Sequence, residues 1–244
     1  MTNQLFNHLT TIMPVYLLSE DLIFPSPQLA SEEGLLAVGG DLSQERLLLA
    51  YRMGIFPWYA EDEPIMWWSP DPRLVLYPEE LKVSKSLVKT IKKRHFEVTM
   101  DQAFATVIKA CAHSRTRMRE GTWIVNDMIA AYCRLHESGL AHSVETWQAG
   151  KLAGGLYGVS LGRCFFGESM FTRLSNASKV AFVALVEHLE ALDFNLIDCQ
   201  VTTAHLLSFG AREISRARFL DELEKSLNSP TLRGKWSFST QGIT

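Results

Sequence analysis

A short apolar run in the C-terminal part of the chain carries a carboxylate and an amide two residues apart. Residues 196–201 have the composition of a strand, and Asp198 and Gln200 interrupt its apolar side chains at alternate positions. Because successive side chains of a strand point to opposite faces, we expect Asp198 and Gln200 side by side on one face. A buried carboxylate destabilises a fold unless it is paired or hydrogen-bonded. Asp198 therefore has either a structural partner, such as a loop that it anchors, or a chemical role.

A second acid lies upstream in a similar setting. Residues 163–171 are rich in aromatic side chains and enclose Glu168. Two strands that each place one carboxylate among large apolar side chains favour a pocket with polar groups at its centre. The pattern favours an enzyme over a purely structural protein.

The composition restricts the class of protein. With 244 residues, of which 47% are hydrophobic, the chain can bury a substantial core. A formal net charge of -3 excludes a general attraction to nucleic acid, so any such contact requires a local basic patch. The four cysteines form no Cys-x-x-Cys pair, which is typical of free thiols in a reducing compartment. We find no leader pattern and no apolar span of roughly 18 residues, so we predict a cytoplasmic protein without membrane contact.

The chain divides into a small N-terminal part and a larger C-terminal part. Residues 1–72 are rich in Pro, Gly and Trp and include a short helix over 43–52, so we predict a small, loop-rich N-terminal α/β domain. Residues 73–244 contain strands and helices in an order that predicts a mixed α/β sheet. The strands are predicted over 142–147, 152–160, 163–171, 196–201 and 213–214, and the helices over 126–136, 176–192 and 204–209.

Residues 83–94 have the pattern of an amphipathic helix with one apolar side and one basic side. The basic side carries Lys85, Lys89, Lys92 and Lys93, and no acids are spaced for i,i+4 pairing with them. A charged helix face is most often solvated surface. The alternative is contact with a phosphate backbone, which does not require a basic protein overall.

Six ordered motifs give the chain a resemblance to a known family. They are Phe56-Pro57-Trp58, Trp67-Trp68-Ser69-Pro70, Gly121-Thr122-Trp123-Ile124, Phe166-Gly167-Glu168-Ser169-Met170-Phe171, Asn176-Ala177-Ser178-Lys179 and Ile197-Asp198-Cys199-Gln200. Together they resemble the bacterial leucyl/phenylalanyl-tRNA-protein transferases over residues 24–220. Members of that family have a small N-terminal domain and a catalytic domain with the GNAT acyltransferase fold, which implies a GNAT-like domain over 73–244.

The resemblance implies an aminoacyl transfer. Members move Leu or Phe from aminoacyl-tRNA to the α-amino group of proteins that begin with Arg or Lys, which creates an N-terminal degradation signal. The implied partners are therefore aminoacyl-tRNA and such proteins, with Met as a further candidate donor. An aminoacyl ester is already activated, so the enzyme mainly positions two substrates. We expect no cofactor, no metal and a monomer.

The resemblance also suggests which residues handle the proton. The attacking α-amine has a reference pKa of about 7.7 to 8.0 and must be neutral, so the reaction requires a proton acceptor. Asp198 and Gln200 match the family's proton-handling pair, and the Gln200 amide is expected to bridge the amine and the Asp198 carboxylate. Glu168 matches a family active-site acid and is expected to orient the amine or the acceptor peptide. Two acids would also favour a cationic Arg or Lys.

The 3′-terminal adenosine of tRNA is single-stranded and is best held by aromatic stacking. Trp58 and Trp123 match family positions that contact it, and Tyr51 and Tyr132 are expected nearby. The alternative for these aromatic side chains is a place in the core. Trp58 follows Pro57 in a loop-rich segment, which favours a ligand role.

The side chain of the donor amino acid requires an apolar pocket. Motif alignment lines this pocket with Leu156, Phe165, Phe182, Leu185 and Ile197. Leu156 lies where the family usually has Met, and Leu185 lies where Phe can occur, so the balance among Leu, Phe and Met stays open. Strict alternation places Ile197 on the face opposite Asp198, so either the strand bulges or Ile197 belongs to the core.

Two other functions compete with this one. A conventional acetyl-CoA-dependent GNAT N-acetyltransferase binds pyrophosphate on a Gly-rich turn, but residues 172–178 contain no glycine. A non-catalytic RNA-binding module would explain the basic helix but not Glu168, Asp198 and Gln200.

Overall fold

A computed structural model describes residues 15–113 and 124–238 of the chain. Within these ranges there are eleven strands and seven α-helices. The strands are β1 (Tyr16–Leu18), β2 (Leu35–Gly39), β3 (Phe56–Pro57), β4 (Met66–Trp68), β5 (Arg73–Leu76), β6 (Glu97–Met100), β7 (Ala141–Gln148), β8 (Lys151–Leu161), β9 (Cys164–Thr172), β10 (Leu196–Gln200) and β11 (Arg212–Ile214). The helices are α1 (Gln44–Arg52), α2 (Lys85–Lys92), α3 (Phe104–Ala112), α4 (Asn126–Glu137), α5 (Ala177–Ala191), α6 (Ala204–Leu207) and α7 (Arg216–Leu227).

The strands form two sheets. The smaller sheet has the order β1-β2-β4-β3, and the larger has the order β11-β5-β10-β9-β8-β7-β6. In the larger sheet β9 and β10 are parallel, while the other neighbouring pairs are antiparallel. The predicted mixed α/β architecture is confirmed.

Helices cover both faces of the large sheet. Apolar side chains of α1, α3, α4 and α7 pack on one face in a single buried cluster that also includes the small sheet. Side chains of α5 and α2 pack on the opposite face in a second cluster. The first cluster runs from Ala30 to Leu223 and joins side chains from both sides of residue 72, and the division at 72/73 stays a prediction.

The parallel strands β9 and β10 separate along their length. Their pairing begins at Leu196 with Cys164 and ends at Asp198 with Phe166. Beyond that point β9 continues to Thr172 and pairs with β8 alone. A cavity opens in the gap between the two strands.

Two β-bulges lie at this gap. In β9, Gly167 pairs with Gly158 and Ser169 pairs with Tyr157, so Glu168 is the extra residue. In β10, Asp198 pairs with Val75 and Gln200 pairs with Leu74, so Cys199 is the extra residue. A bulge shifts the side-chain alternation by one residue and redirects the side chains that follow it.

The bulge at Cys199 interrupts the regular alternation on which the same-face prediction for Asp198 and Gln200 rests. Asp198 lies on the sheet face that packs against α1 and α7 and pairs with Arg73, while Gln200, with a φ of +62°, lines the cavity. Ile197 also lines the cavity, so the strand bulges and Ile197 remains in the pocket.

The predicted helices and strands of the C-terminal part are present, with shifted ends. The basic helix is shorter than predicted, because Ser84 caps it through a hydrogen bond from the Leu87 N–H and it ends at Lys92. Helices α3 and α7 and strands β1 to β6 have no counterpart in the sequence prediction. In the described ranges no helix is both long and apolar enough to cross a membrane.

Candidate active site

A large cavity of about 1540 Å³ opens where β9 and β10 separate. Its walls come from β8, β9, β10, the first half of α5 and the segment around β3 and β4. The acids among its described lining residues are Glu63 and Glu168. The cavity thus combines a largely apolar interior with a few polar groups, as ligand sites generally do.

Neutral hydrogen-bond donors hold the Glu168 carboxylate at the wall of this cavity. The Tyr51 hydroxyl donates to Oε1 at 2.8 Å, and the Tyr132 hydroxyl donates to Oε2 at 2.9 Å. The Gln200 amide nitrogen donates to Oε1 at 2.9 Å. The two tyrosine hydroxyl oxygens also contact each other, and because each hydroxyl has one proton, a hydrogen bond between them replaces one of the two that they donate to Glu168. No cation compensates the carboxylate charge among these partners.

Burial raises the pKa of Glu168 from 4.5 to about 7. The donors from Tyr51, Tyr132 and Gln200 favour the charged form and lower the pKa, but desolvation outweighs them, and the negative charge of Asp198 adds to the rise. A carboxyl group with a pKa near 7 changes its protonation state readily at neutral pH. Glu168 is therefore suited to accept and release a proton.

Tyr51 and Tyr132 are fully buried in the core, and their hydroxyls point at Glu168. Burial, followed by the negative charge of Glu168, raises the pKa of both phenols well above the usual value. Both therefore stay neutral donors. Neither ring has a surface that is open to an adenosine, because both residues are buried and contact Glu168. Their role in tRNA binding stays a prediction.

Asp198 has a charged partner instead. Arg73 donates from Nε to Oδ1 at 2.8 Å and from Nη2 to Oδ2 at 2.6 Å, and the Gln200 backbone N–H donates to Oδ1 at 2.9 Å. Asp198 is 0% exposed and is not among the cavity lining. Its carboxylate stabilises the bulge through the Gln200 backbone N–H and does not line the cavity.

Arg73 is the residue of this site that sequence reasoning missed. It is 1% exposed, and its guanidinium lies over the rings of Phe56 and Phe219 at 4.8 and 4.5 Å from their centroids. The available signal was an arginine followed directly by the apolar run Leu74-Val75-Leu76, because a charge at the start of a buried strand requires an opposite charge nearby.

All five residues predicted for the aminoacyl pocket line the cavity. They also belong to the same buried cluster, on the α5 face of the large sheet. The five are Leu156, Phe165, Phe182, Leu185 and Ile197. Their placement in one apolar recess supports the predicted pocket, and the identity of its ligand stays a prediction.

The residues predicted to hold the tRNA differ in placement. Trp58 lines the cavity, is 41% exposed and lies against Trp68 with 5.8 Å between the ring centroids. Trp123 lies outside the described residues. The lysines of the basic helix are all exposed, and no salt bridge joins them to the part of the chain that the structure describes: Lys85, Lys89, Lys92 and Lys93.

Comparisons with known proteins agree on one family. A family model described as leucyl/phenylalanyl-tRNA protein transferase matches residues 75–224, and the model of that family's N-terminal domain matches residues 40–71. The leucyl/phenylalanyl-tRNA–protein transferase of Desulfatibacillum aliphaticivorans is 62% identical over 229 residues, which cover 94% of this chain and 98% of the relative. The protein of the same name from Syntrophobacter fumaroxidans is 64% identical over 215 residues, which cover 88% and 92%.

Solved structures overlap with the chain only weakly. An aminoglycoside acetyltransferase from an uncultured soil sample gives a TM-score of 0.35 at 17% identity, covering 45% of this chain and 81% of that structure. The C-terminal domain of a lysylphosphatidylglycerol synthetase from Agrobacterium fabrum gives 0.38 at 9% identity, covering 78% and 57%. These overlaps carry no argument about the fold family.

The sequence matches identify the family to which this chain belongs. Both family models match in chain order, and the two relatives share 62% and 64% identity over nearly their whole length. The chain belongs to the leucyl/phenylalanyl-tRNA protein transferase family and is an aminoacyl-tRNA transferase enzyme.

Proposed function

We propose that this protein transfers Leu or Phe from aminoacyl-tRNA to the α-amino group of proteins that begin with Arg or Lys, with Met as a further candidate donor. The product carries a new N-terminal residue that acts as a degradation signal. The observation that carries the proposal is a carboxyl group with a pKa of about 7, Glu168, at the wall of a cavity with an apolar recess. The catalytic domain is proposed to be GNAT-like over 73–244, behind an N-terminal domain over 1–72.

In the proposed reaction Glu168 is the proton acceptor. The neutral α-amine attacks the ester carbonyl, the new C–N bond forms, and Glu168 takes a proton from the amine. The ester C–O bond then breaks, and Glu168 gives the same proton to the ribose oxygen of the tRNA, which leaves as a hydroxyl while Glu168 returns to its starting state. A positioned general base of this kind contributes roughly 10²- to 10⁴-fold to the rate.

Gln200 positions the amine in this scheme. Its amide nitrogen is fixed by Glu168, which leaves the amide oxygen on the cavity side to accept an N–H from the amine. Gln200 thus bridges the amine to Glu168, not to Asp198 as the sequence suggested. Asp198 acts as a positioning residue, because it binds the Gln200 backbone N–H and Arg73.

The apolar recess selects the donor amino acid. Burying a Leu or Phe side chain among Leu156, Phe165 and their neighbours contributes about 1.5–3 kcal/mol relative to leaving it in water. A smaller side chain loses part of that burial. A polar side chain would leave its hydrogen-bonding groups unpaired.

The acidic lining favours a cationic acceptor. Since Arg73 compensates Asp198, that acid offers no free charge to a substrate. Glu63 and Glu168 are the acids that line the described part of the cavity, and they supply the negative potential for an N-terminal Arg or Lys. In the same proposal Trp58 and Trp123 stack on the 3′-terminal adenosine.

The decisive experiment uses purified protein, carbon-14-labelled Leu-tRNA and peptides that begin with Arg, Lys or Ala, without ATP. We expect label on the Arg and Lys peptides and little on the Ala peptide. Equal labelling of all three peptides, or of none, contradicts the proposal. A parallel reaction with labelled acetyl-CoA in place of the tRNA tests the acetyltransferase alternative, and we expect no label in that product.

The exposed lysines of the basic helix are proposed to bind tRNA phosphates. Replacing Lys85, Lys89, Lys92 and Lys93 by Ala should flatten the dependence of log affinity on log salt by about 0.9 for each phosphate that the protein no longer neutralises. Binding is measured by filter retention of Leu-tRNA at several salt concentrations. Lys151 and Lys225, which are exposed outside the cavity, provide the control substitutions. An unchanged slope would show that α2 is only a solvated face.

A further inference from the structure

The segment Asn176–Lys179 lies at the cavity and has no role in the mechanism above. We propose that the N-terminus of α5 binds one phosphate group of the donor RNA, the phosphate on the 5′ side of the terminal adenosine. The identity of the donor rests on the proposed function, while the anion site rests on the geometry of α5.

The side chain of Ser178 is mostly buried, and its hydroxyl lines the cavity without a protein partner among the described residues. Ser178 is 7% exposed and lines the cavity, and none of the hydrogen bonds between described residues involves its hydroxyl. Ser178 lies one turn before Phe182 and two turns before Leu185, so the three side chains share one face of α5. A hydroxyl that reaches the cavity and has no protein partner is available to a polar group of the ligand.

The start of α5 also presents free backbone donors. Asn176 precedes the helix with a φ of +68°, and its side chain does not cap the helix. The first turn contains no acid, and the backbone N–H groups of Ser178 and Lys179 have no acceptor within the helix. In a helix of 15 residues these groups and the helix dipole together favour an anion.

Cationic and neutral donors surround this helix start. Lys179 lines the cavity and forms no salt bridge within the described ranges, and Arg173 lines the cavity at the end of β9. His205 lines the same region, and its Nε2 is buried with no hydrogen-bond partner among the described residues. Burial and then the charge of Lys179 lower the pKa of His205, which leaves it neutral. The donors at this end of the cavity are suited to an anion.

The space at the helix start fits one phosphate better than a pyrophosphate. A Cβ at Gly154 of β8 would lie 2.9 Å from the Ser178 backbone nitrogen and 2.7 Å from the Ala177 Cβ, so the strand packs tightly against the first turn. Residues 172–178 contain no glycine that would let the backbone close around a second phosphate. The donors left are a hydroxyl, two N–H groups and an ammonium.

The spacing along α5 fits a single nucleotide. Ser178 lies about 6 Å along the helix axis from Phe182 and about 10 Å from Leu185, at 1.5 Å per residue. An aminoacyl-adenosine with its side chain against Phe182 and Leu185 carries the amino acid on its ribose. The next group that it offers along the chain is the 5′ phosphate. Ser178 and Lys179 are placed to receive it.

The test compares two unreactive donor analogues, 3′-amino-3′-deoxyadenosine joined by an amide to phenylalanine, with and without a 5′ phosphate. Binding to the full chain is measured by calorimetry. We expect the phosphate to tighten binding by roughly tenfold or more, as for hydrogen bonds to a charged group. Ser178→Ala and Lys179→Gln should each remove most of that gain and leave the affinity for the unphosphorylated analogue unchanged. Lys179→Gln should also make the binding of the phosphorylated analogue less dependent on salt, because one ion pair with the phosphate is lost.

The matched control is Lys151→Gln, which removes an exposed charge outside the cavity and should change neither affinity. Equal weakening of both analogues by Ser178→Ala and Lys179→Gln, or no effect on either, overturns the proposal. Tighter binding of acetyl-CoA than of the phosphorylated analogue also overturns it, because the site would then belong to a pyrophosphate. Since these are binding measurements, a failure of the peptide-labelling reaction leaves their outcome readable.

Discussion

Two carboxylates on neighbouring strands of the large sheet are buried by different means. Asp198 in β10 meets a guanidinium in a two-pronged salt bridge with Arg73, sealed by the Phe56 and Phe219 rings. Glu168 in β9 meets two phenols and an amide, all of them neutral. The first arrangement fixes a charge, and the second leaves a group that can gain or lose a proton near neutral pH.

The two acids differ in what they contact. Asp198 binds Arg73 and the Gln200 backbone, while Glu168 lies at the cavity wall. Each strand has a bulge at this point, and Glu168 and Gln200 line the cavity while Asp198 does not. The fixed pair then holds the backbone at Gln200, and Gln200 in turn holds Glu168. The position of Glu168 therefore depends on Asp198 through Gln200.

The largest effect is expected from Glu168→Gln, which removes the proton acceptor. We expect kcat with Leu-tRNA and an Arg peptide to fall roughly 10²- to 10⁴-fold, while the affinity for Leu-tRNA stays unchanged. Single-turnover kinetics and a separate binding assay measure the two quantities. The Gln side chain keeps the size and some of the hydrogen bonds of the acid.

The matched control is Glu145→Gln, because Glu145 is another buried acid of the same sheet, hydrogen-bonded to Thr99 and Ser143 outside the cavity. It should keep the wild-type kcat even if stability falls. A Glu168→Gln enzyme with more than a tenth of the wild-type rate would show that the acceptor lies elsewhere.

The second prediction concerns the free energy of unfolding and the other acid, Asp198. Asp198→Ala leaves Arg73 buried without a partner, which should cost about 3–5 kcal/mol of unfolding free energy, measured by urea denaturation. The double variant Arg73→Met with Asp198→Leu should recover much of that loss, because no charge then remains buried. A fully stable Asp198→Ala protein with no activity would mean instead that Asp198 takes part in the chemistry.

The sequence predicted the local structure of the site better than its internal contacts. Aromatic and β-branched runs with helical or alternate spacing located β7 to β10 and α4 to α6. The apolar pocket residues followed from the same patterns and from the family resemblance. What failed was the assumption of regular alternation through Asp198, because a bulge depends on pairing with β5 and carries no local sequence signal.

Contacts between distant segments were the other gap. Arg73 and Asp198 are 125 positions apart, and Tyr51 and Glu168 are 117 positions apart. Neither residue pair has a spacing from which contact can be read. Helices α3 and α7 were missed although they have apolar sides, since short apolar runs fit a strand or a helix equally well.

The third prediction uses the pH dependence of stability. Because the Glu168 pKa is about 7 when folded and 4.5 by reference, the folded protein keeps a proton that the unfolded chain loses between these pH values. The free energy of unfolding must therefore fall as pH rises through this window, by about 3 kcal/mol at 1.36 kcal/mol per pKa unit. Glu168→Gln lacks this contribution, so its stability relative to wild type should rise by that amount between pH 4 and pH 8 in urea denaturation. A constant difference would contradict a raised pKa.

The smallest effect is expected from Tyr51→Phe, which removes one hydrogen bond to the charged form of Glu168 and keeps the ring. The pKa of Glu168 should rise on the order of one unit, because a donor to a carboxylate favours ionisation. The limb of kcat/KM near pH 7 should move to higher pH by that amount, while the plateau rate is kept. Tyr77→Phe removes a matched hydrogen bond to Glu222 outside the cavity and should leave the profile unchanged. A Tyr51→Phe enzyme that is slow at every pH would show that the phenol does more than hold the proton acceptor.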